Sequence, residues 1–175
     1  MAARAQTAAE STTLTLAGAN DISAIEAIVH AAYVKYVERI GKPPAPMVAD
    51  YRELVDMGQV YALRSNADGR LVGSIVLEKT ASRCLQIGNV VVDPAEQGRG
   101  YGRVLLEHAE REARAEGLTA LTLYTNVKMW ENFGLYAKLG FVEVERRAEA
   151  GYERVYFCKA LPDGDEASGS YQGQV

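Results

Sequence analysis

Three glycines stand at alternate positions in the segment NVVVDPAEQGRGYGR, which runs from Asn89 to Arg103. They are Gly98, Gly100 and Gly102, and the stretch that follows them, VLLEHAEREARAEG, has the pattern of a helix. The start of a helix exposes unpaired backbone N–H groups and the positive end of the helix dipole. Glycine permits positive φ and lets a bulky anion approach these groups. The segment therefore predicts a backbone site for a phosphate group.

Two common nucleotide-binding motifs do not fit this segment. A P-loop requires Lys and then Ser or Thr after its last glycine, whereas Arg103 follows Gly102. A dinucleotide fingerprint requires GxGxxG; Gly98 and Gly100 begin this pattern, but Arg103 stands at its third glycine position. The arginines Arg99 and Arg103 between and after the glycines still favour an anion.

The composition indicates one ordinary globular domain. The chain has 175 residues, of which 48% are hydrophobic and 24% charged, and its net charge of −4 does not favour binding to nucleic acid. No CxxC or HExxH motif suggests a metal site. We expect Cys84 and Cys158 to be small, buried residues in a reducing compartment. The apolar runs are too short to span a membrane, and no signal-peptide core is present, so we expect a cytoplasmic protein.

Hydrophobic periodicity places the glycine turn within a mixed α/β domain at 12–161, between a flexible leader at 1–11 and a disordered, polar tail at 162–175. The pattern predicts a strand, LTLAGA, then a helix that ends near Gly41 and a shorter helix, MVADYRELVDMG. Three antiparallel strands follow, ending in CLQIGNVVV.

The second half of the domain is predicted to contain a crossover helix at about 99–116, the strand LTALTLY, the helix MWENFGLYAKLG and a hairpin around Gly151. A crossover helix normally links two parallel strands. The strands that end at Val92 and Tyr124 should therefore be parallel neighbours, and the other pairs antiparallel.

The sequence around the glycine turn resembles the acyl-CoA signature of the GNAT superfamily of N-acetyltransferases. Its core, Gln/Arg-x-x-Gly-x-Gly/Ala, is matched by Gln97, Gly100 and Gly102. The segment LYAKLGF at 135–141 resembles the family's LYxxxGF element, and the order of segments agrees from Leu14 to Leu161. The resemblance implies an α/β (α+β) fold: a mixed, mostly antiparallel sheet of about seven strands, with a splayed parallel central pair and about four flanking helices.

The resemblance also implies that acetyl-CoA is the co-substrate and that no metal takes part. In the family the pantetheine arm lies between the splayed strands and pairs with the main chain of the first, which here is Val90, Val91 and Val92. The pyrophosphate would bind the turn. The residues implied are Gln97, Gly98, Arg99, Gly100, Tyr101, Gly102 and Arg103.

The implied reaction is direct attack of a primary amine on the thioester carbonyl. A main-chain N–H near Val90 would stabilise the developing oxyanion. Family members often use the tyrosine of LYxxxGF to protonate the leaving thiolate, and this position is Tyr136. A phenol with a pKa near 10 is chemically able to do so. The alternative is a tyrosine that only packs against its helix.

Two positions depart from the family pattern. Met129 stands where many members have an asparagine that holds pantetheine; Asn132, one helical turn before Tyr136, or Asn126 is the candidate substitute. Gln86 stands where many members have a glutamate that accepts the proton of the amine. Glu78 on the preceding strand is able to act through a water, or is only an exposed strand carboxylate, so the base stays open.

In proteins of this fold, the first two helices and their connector usually recognise the acceptor. The candidate acceptor residues are Tyr33, Tyr36, Arg39, Tyr51 and Asn126. We expect the partner to be a small-molecule or peptide amine rather than nucleic acid or membrane, and homodimers are common in the family. The amine itself is not identified. Another acyl-CoA donor, a protein N-terminus as acceptor, or a non-catalytic CoA-binding module are the alternatives.

Overall fold

The computed structural model describes residues 7–162, in which seven strands form one mixed sheet in the order β1-β2-β3-β4-β5-β7-β6. The predicted tail lies outside these residues except for Pro162. The predicted leader lies partly outside them, and its described part forms a turn closed by a bond from Ser11 N to Thr7 O of 3.1 Å. The sheet confirms the predicted fold class.

The strands and helices have the following bounds. The strands are β1 Thr12–Leu16, β2 Val60–Ser65, β3 Leu71–Lys79, β4 Cys84–Val92, β5 Ala120–Asn126, β6 Val142–Glu149 and β7 Tyr152–Ala160. The helices are α1 Ile22–Tyr33, α2 Val37–Ile40, α3 Tyr51–Asp56, α4 Tyr101–Ala115 and α5 Phe133–Lys138. In the described residues, no helix is both long and apolar enough to cross a lipid bilayer.

The first predicted helix is interrupted. A 3₁₀ turn over Val34–Tyr36 separates α1 from α2, and α2 is followed by its C-cap, Gly41, with a left-handed φ of +88°. A 3₁₀ turn places residues three apart on one side, and here it directs the rings of Tyr33 and Tyr36 together, with centroids 6.3 Å apart. Hydrophobic periodicity does not distinguish this tightening from a continuous helix.

The second predicted helix is also shorter than its pattern indicated. A 3₁₀ turn occupies Ala45–Val48, and α3 begins only at Tyr51. Asp50 is the N-cap, because its carboxylate accepts a bond of 3.0 Å from Glu53 N.

The parallel pair in the middle of the sheet separates along its length. β4 and β5 are paired only from Cys84 opposite Ala120 to Ile87 opposite Leu123, although both strands continue further. The other neighbouring strands are antiparallel, as predicted. The edge of β4 that faces β5 therefore has no strand partner after Ile87, and this gap is the predicted splay.

A bulge at Gly88 reverses the faces of β4 where the gap begins. The register passes from Leu77 opposite Ile87 to Val76 opposite Asn89, which leaves Gly88 as the extra residue. Before the bulge, Ile87 packs in the cluster that contains α4; after it, Val91 packs in the cluster that contains α1. Because strand side chains alternate, Asn89 also turns to the α1 side, where it bonds residues of α1 and α3.

Candidate active site

The glycine turn supplies backbone donors at the start of α4. Gly98 and Gly100 have left-handed φ values of +80° and +85°, which other residue types adopt at a cost. Gly102 lies in the first helical turn, where an added Cβ would meet only Val92 Cγ2, at 3.9 Å. Among the described residues, none accepts a bond from the backbone N–H groups of 98–103. The turn thus presents free donors beside open space, as an anion site requires.

An ion-pair network holds the turn from the opposite side. Arg70 lies in the loop between β2 and β3. It donates to Asp93, with Nη1 to Oδ2 at 3.0 Å, and also to Glu96. Glu96 is buried and lies 3.2 Å from Arg99. Arg99 is therefore directed toward Glu96, and its side chain does not line the cleft beside the turn.

Two clefts lie on the open side of the separated strands. The first, the turn cleft, is lined by Ala32, Lys35, Tyr36, Val91, Val92, Gln97, Gly98, Gly100, Tyr101, Gly102, Arg103, Leu106 and Leu135. The second, the gap cleft, is lined by Pro44, Ala45, Pro46, Ile87, Gly88, Asn89, Leu123, Tyr124, Thr125, Asn126, Tyr152 and Arg154. Both clefts share Tyr33, Val90, Met129, Asn132 and Tyr136. The two spaces therefore meet at the residues predicted for chemistry.

Tyr136 stands at this junction. Its ring packs near Phe157 and Phe141, with centroid distances of 5.4 and 6.2 Å, and the residue is 8% exposed. Burial, with a smaller contribution from Tyr36, raises the pKa of Tyr136 to about 12. The hydroxyl consequently stays protonated at neutral pH and is available as a hydrogen-bond donor.

A buried amide connects two of the predicted acceptor tyrosines. The hydroxyl of Tyr33 donates to Asn89 Oδ1 at 2.7 Å, and Asn89 Nδ2 donates to the Tyr51 hydroxyl at 3.1 Å. Burial raises the pKa of Tyr51 to about 12 and the pKa of Tyr33 well above its ordinary value, with Tyr136 a further cause for Tyr33. These bonds fix α1 and α3 against the open edge of β4.

The predicted acceptor residues divide into two groups. Tyr33, Tyr36 and Asn126 line a cleft. Tyr51 lies behind Asn89 and lines neither cleft. Arg39 also lines neither, because its Nη1 donates to Glu131 at 2.7 Å and to Lys128 O at 2.9 Å. Arg39 therefore connects α2 to the loop after β5.

The two asparagines proposed for the pantetheine differ in their availability. Asn126 Oδ1 accepts a bond of 2.9 Å from Lys128 N, so its oxygen already closes a turn. Asn132 lines both clefts, and its amide has no hydrogen-bond partner among the described residues. Met129, at the family's asparagine position, is buried between the same clefts. The geometry thus favours Asn132.

Glu78 lies next to the glutamine that occupies the family's glutamate position. It is directly opposite Gln86 in the β3–β4 register, so the two side chains share a face. A Cβ added at Gly88 would lie 2.8 Å from Glu78 Oε1, so the missing side chain of Gly88 leaves room for this carboxylate beside the gap cleft. Glu78 has no hydrogen-bond or ion-pair partner within residues 7–162.

Sequence reasoning did not select several residues of the gap cleft. Asn89 was recognisable from the sequence as a lone amide in an apolar strand. No sequence pattern identified Tyr124, Tyr152 and Arg154, because they come together only through the β5–β7 pairing. The segment between the first two predicted helices also contributes to this cleft, through Pro44, Ala45 and Pro46. Tyr152 holds this segment through a bond of 2.7 Å to Pro43 O.

Comparison with known proteins gives one family match and several relatives. A family model described as the acetyltransferase (GNAT) family matches residues 25–141, which is more than half of the chain and includes the glycine turn and Tyr136. Among curated proteins, the mycothiol acetyltransferase of Beutenbergia cavernae is 31% identical over 96 residues, 55% of this chain and 32% of the relative. The [ribosomal protein bS18]-alanine N-acetyltransferase of Salmonella typhimurium is 33% identical over 93 residues, 53% of this chain and 62% of the relative.

These matches span from about a third to less than two thirds of the relatives' own lengths. A solved structure is similar over a larger share: the PaiA N-acetyltransferase of Thermoplasma acidophilum, in complex with coenzyme A. Its TM-score is 0.69 at 14% identity, over 86% of this chain and 99% of that one. At this identity the likeness shows the fold.

The buried tyrosines predict how stability depends on alkaline pH. We expect the free energy of unfolding to fall as the pH rises from about 10 to about 12. The pKa of Tyr136 and of Tyr51 is about 12 in the folded protein, whereas an unperturbed tyrosine in the unfolded chain has a pKa of about 10. Over this range the unfolded chain releases protons that the folded protein retains, so alkali favours unfolding. Below it, the stabilisation is fully present.

Urea unfolding at several pH values measures this dependence. Tyr136→Phe should reduce the slope by the equivalent of one proton, about 1.4 kcal/mol per pH unit. An unchanged slope in this variant would show that the Tyr136 hydroxyl is not desolvated.

Proposed function

The chain belongs to the acetyltransferase (GNAT) family, and we propose that it transfers an acetyl group from acetyl-CoA to a primary amine by direct attack. The observation that carries the proposal is the meeting of two clefts at Tyr136. One cleft has backbone donors for phosphate, and the other is enclosed by aromatic and amide side chains. A donor and an acceptor that enter from the two sides would meet at this hydroxyl.

The groups of the turn cleft suit acetyl-CoA, which is a long molecule with anionic phosphate groups at one end. The unpaired N–H groups of 98–103 suit the pyrophosphate, and the left-handed Gly98 and Gly100 keep side chains away from it. The unpaired edge of β4 at Val90, Val91 and Val92 suits the amide groups of pantetheine, which would bind as an added strand. Asn132 would add a side-chain amide, and Gln97 and Arg103 would border the phosphates.

Direct transfer requires one bond to form and one to break. The neutral amine nitrogen bonds to the acetyl carbon, the C–S bond breaks, and the sulfur takes a proton. We propose that the Tyr136 hydroxyl donates a hydrogen bond to the departing sulfur, which takes its proton from solvent, while the amine releases one proton. The thiol of a cysteine has a pKa near 8.5, and the pKa of Tyr136 is about 12, so complete transfer to a fully formed thiolate is unfavourable. The hydroxyl therefore acts by donating its hydrogen bond while charge develops on sulfur.

The proton of the amine needs an acceptor, and we assign this role to Glu78 through a water. Gln86 has no basic group, whereas Glu78 lies opposite it and places its carboxylate at the Gly88 edge of the gap cleft. Relative to the family pattern, the carboxylate would thus stand on β3 rather than on β4. Glu78 is not among the residues that line the gap cleft, so one water would connect its carboxylate to the amine.

Binding of acetyl-CoA at the turn is tested by Gly102→Val. At 100 times its Kd, acetyl-CoA should raise the melting temperature of the unmodified protein by roughly 5–10 °C. The valine side chain should fit without strain, because only Val92 lies within 4 Å, but it should fill the approach to the N–H groups. We therefore expect a folded variant with no shift.

Gly134→Val is the matched control, since Gly134 likewise lies in the first turn of a helix, α5, and an added Cβ there meets nothing within 4 Å. It should keep the shift. A Gly102→Val protein that folds and still responds to acetyl-CoA, or an equal response of the unmodified protein to ATP, would contradict the assignment.

The role of Tyr136 is tested by Tyr136→Phe, which removes the hydroxyl and little volume. The acetyl-CoA melting shift should survive, while the single-turnover rate should fall by about 10² to 10³. The loss should appear in kcat more than in KM, because the bond matters only as the thiolate forms. Since the pKa of Tyr136 is about 12, this group should cause no decline of kcat below about pH 10.

Tyr61→Phe is the control for loss of a tyrosine hydroxyl. Tyr61 lines neither cleft; its hydroxyl lies 3.5 Å from Glu112 on α4. This variant should keep its rate. Acetylation by Tyr136→Phe at the unmodified rate would show that Tyr136 only packs in the core.

The base assignment is tested by Glu78→Gln. The rate at neutral pH should fall by about 10², and the deficit should shrink as higher pH supplies more neutral amine. Gln86→Glu, combined with Glu78→Gln, should recover activity because it returns a carboxylate to the adjacent position on the same face. A full rate at neutral pH in Glu78→Gln would eliminate this residue as the base.

A further inference from the structure

We infer that the acceptor amine carries an anionic group, a carboxylate or a phosphate, and that Arg154 binds this group in the gap cleft. The inference rests on the proposed acetyl transfer and names the substrate class for the same site. It depends on how Arg154 is held, on which of its N–H groups are free, and on the charges that line the cleft.

Arg154 is held in the wall of the gap cleft by its neighbours on the sheet. In the β5–β7 register it lies opposite Asn126, at the end of β5 that borders the gap. Its guanidinium carbon lies 4.1 Å from the centroid of the Tyr124 ring, and only 11% of the side chain is exposed. The arginine is therefore a preorganised part of the wall rather than a mobile surface side chain.

Most donors of this guanidinium are free. Nη1 donates to Glu149, but Nε and Nη2 have no acceptor among the described residues. Glu149 is 44% exposed on β6, accepts from the Tyr156 hydroxyl and lies 3.6 Å from Arg147, so it serves several donors. Within residues 7–162 these nitrogens are not among the buried atoms that lack a hydrogen-bond partner, so solvent or a ligand reaches them. A carboxylate or phosphate accepts two parallel bonds from such a fork.

The charge of the residues that line the gap cleft also favours an anionic ligand. Of the described residues that line the gap cleft, Arg154 alone carries a charge; the carboxylates of Glu149 and Glu78 lie outside this lining. Asn126 lies opposite Arg154 in the β5–β7 register. Its Oδ1 accepts a bond from Lys128 N, and its NH₂ group remains as a further donor. An anion at this wall would gain both the charge of Arg154 and the amide.

Glu78 and Arg154 would interact with opposite ends of the acceptor. Glu78 lies at the β4 side of the cleft, beside Gly88, and Arg154 lies at the β7 side, across the strand gap. An amine with an acidic group would direct its nitrogen toward Glu78 and Tyr136 and its acid toward Arg154. This arrangement fixes the orientation of the acceptor by two opposite charges.

The test compares amines that differ only in the acidic group. The pairs are α-amino acids with their amides, and amino sugar 6-phosphates with the corresponding amino sugars, at matched concentrations of neutral amine. We expect kcat/KM to be about 10- to 100-fold higher for the anionic member of at least one pair. The pair with the larger ratio identifies the acid as carboxylate or phosphate.

Arg154→Gln should lower kcat/KM for the anionic member to near that of its neutral partner, mainly through KM. Arg154→Lys, which keeps the charge but not the fork, should retain part of the preference, and it replaces Arg154→Gln if that variant does not fold. Arg147→Gln is the matched control. Arg147 stacks on the Tyr156 ring at 4.2 Å and does not line the cleft, so the preference should persist.

The possible failures are distinct. Acetylation of the amines without preference for the anionic members, or a preference that Arg154→Gln retains, would overturn the inference and leave acetyl transfer intact. Absence of acetylation in every pair, despite binding of acetyl-CoA, would contradict the proposed function and this inference with it.

Discussion

The separation of β4 from β5 after four paired positions is the constraint on which the rest of the site depends. A parallel pair in the centre of a sheet would normally satisfy its backbone groups along its full length. Here the bulge at Gly88 turns β4 away and ends the pairing. The unpaired strand edge lies in the middle of the molecule, where an extended ligand reaches it from the glycine turn.

The groups around this gap are arranged so that each remains in the form that the proposed reaction needs. Burial keeps Tyr136 protonated, and the bonds of Asn89 to Tyr33 and Tyr51 hold α1 and α3 at the edge of β4 without using the hydroxyl of Tyr136. The network of Arg70 with Asp93 and Glu96 holds the turn, so the N–H groups are left for a ligand. Structural polar contacts and reactive groups are thus separated.

The elements that follow from local chemistry were predictable from the sequence. Gly98 and Gly100 have the left-handed φ that the glycine pattern indicated, and the crossover helix required the parallel pair that β4 and β5 form. The 3₁₀ turn at Val34–Tyr36 was not predictable, because hydrophobic periodicity does not distinguish it from a continuous helix. Arg154 and Tyr124 likewise became part of the site only through pairing of β5 with β7, strands distant in sequence.

Binding of acetyl-CoA along the open edge of β4, with its phosphates on the glycine turn, is tested most directly by amide hydrogen exchange resolved by residue. The N–H groups of 98–103 have no acceptor among the described residues, so they should exchange rapidly without ligand. Addition of acetyl-CoA should slow exchange there and at Val90 to Val92, and leave the β1–β2 pair unchanged. Protection confined to other strands, or no protection at the turn when acetyl-CoA is saturating, would contradict the account.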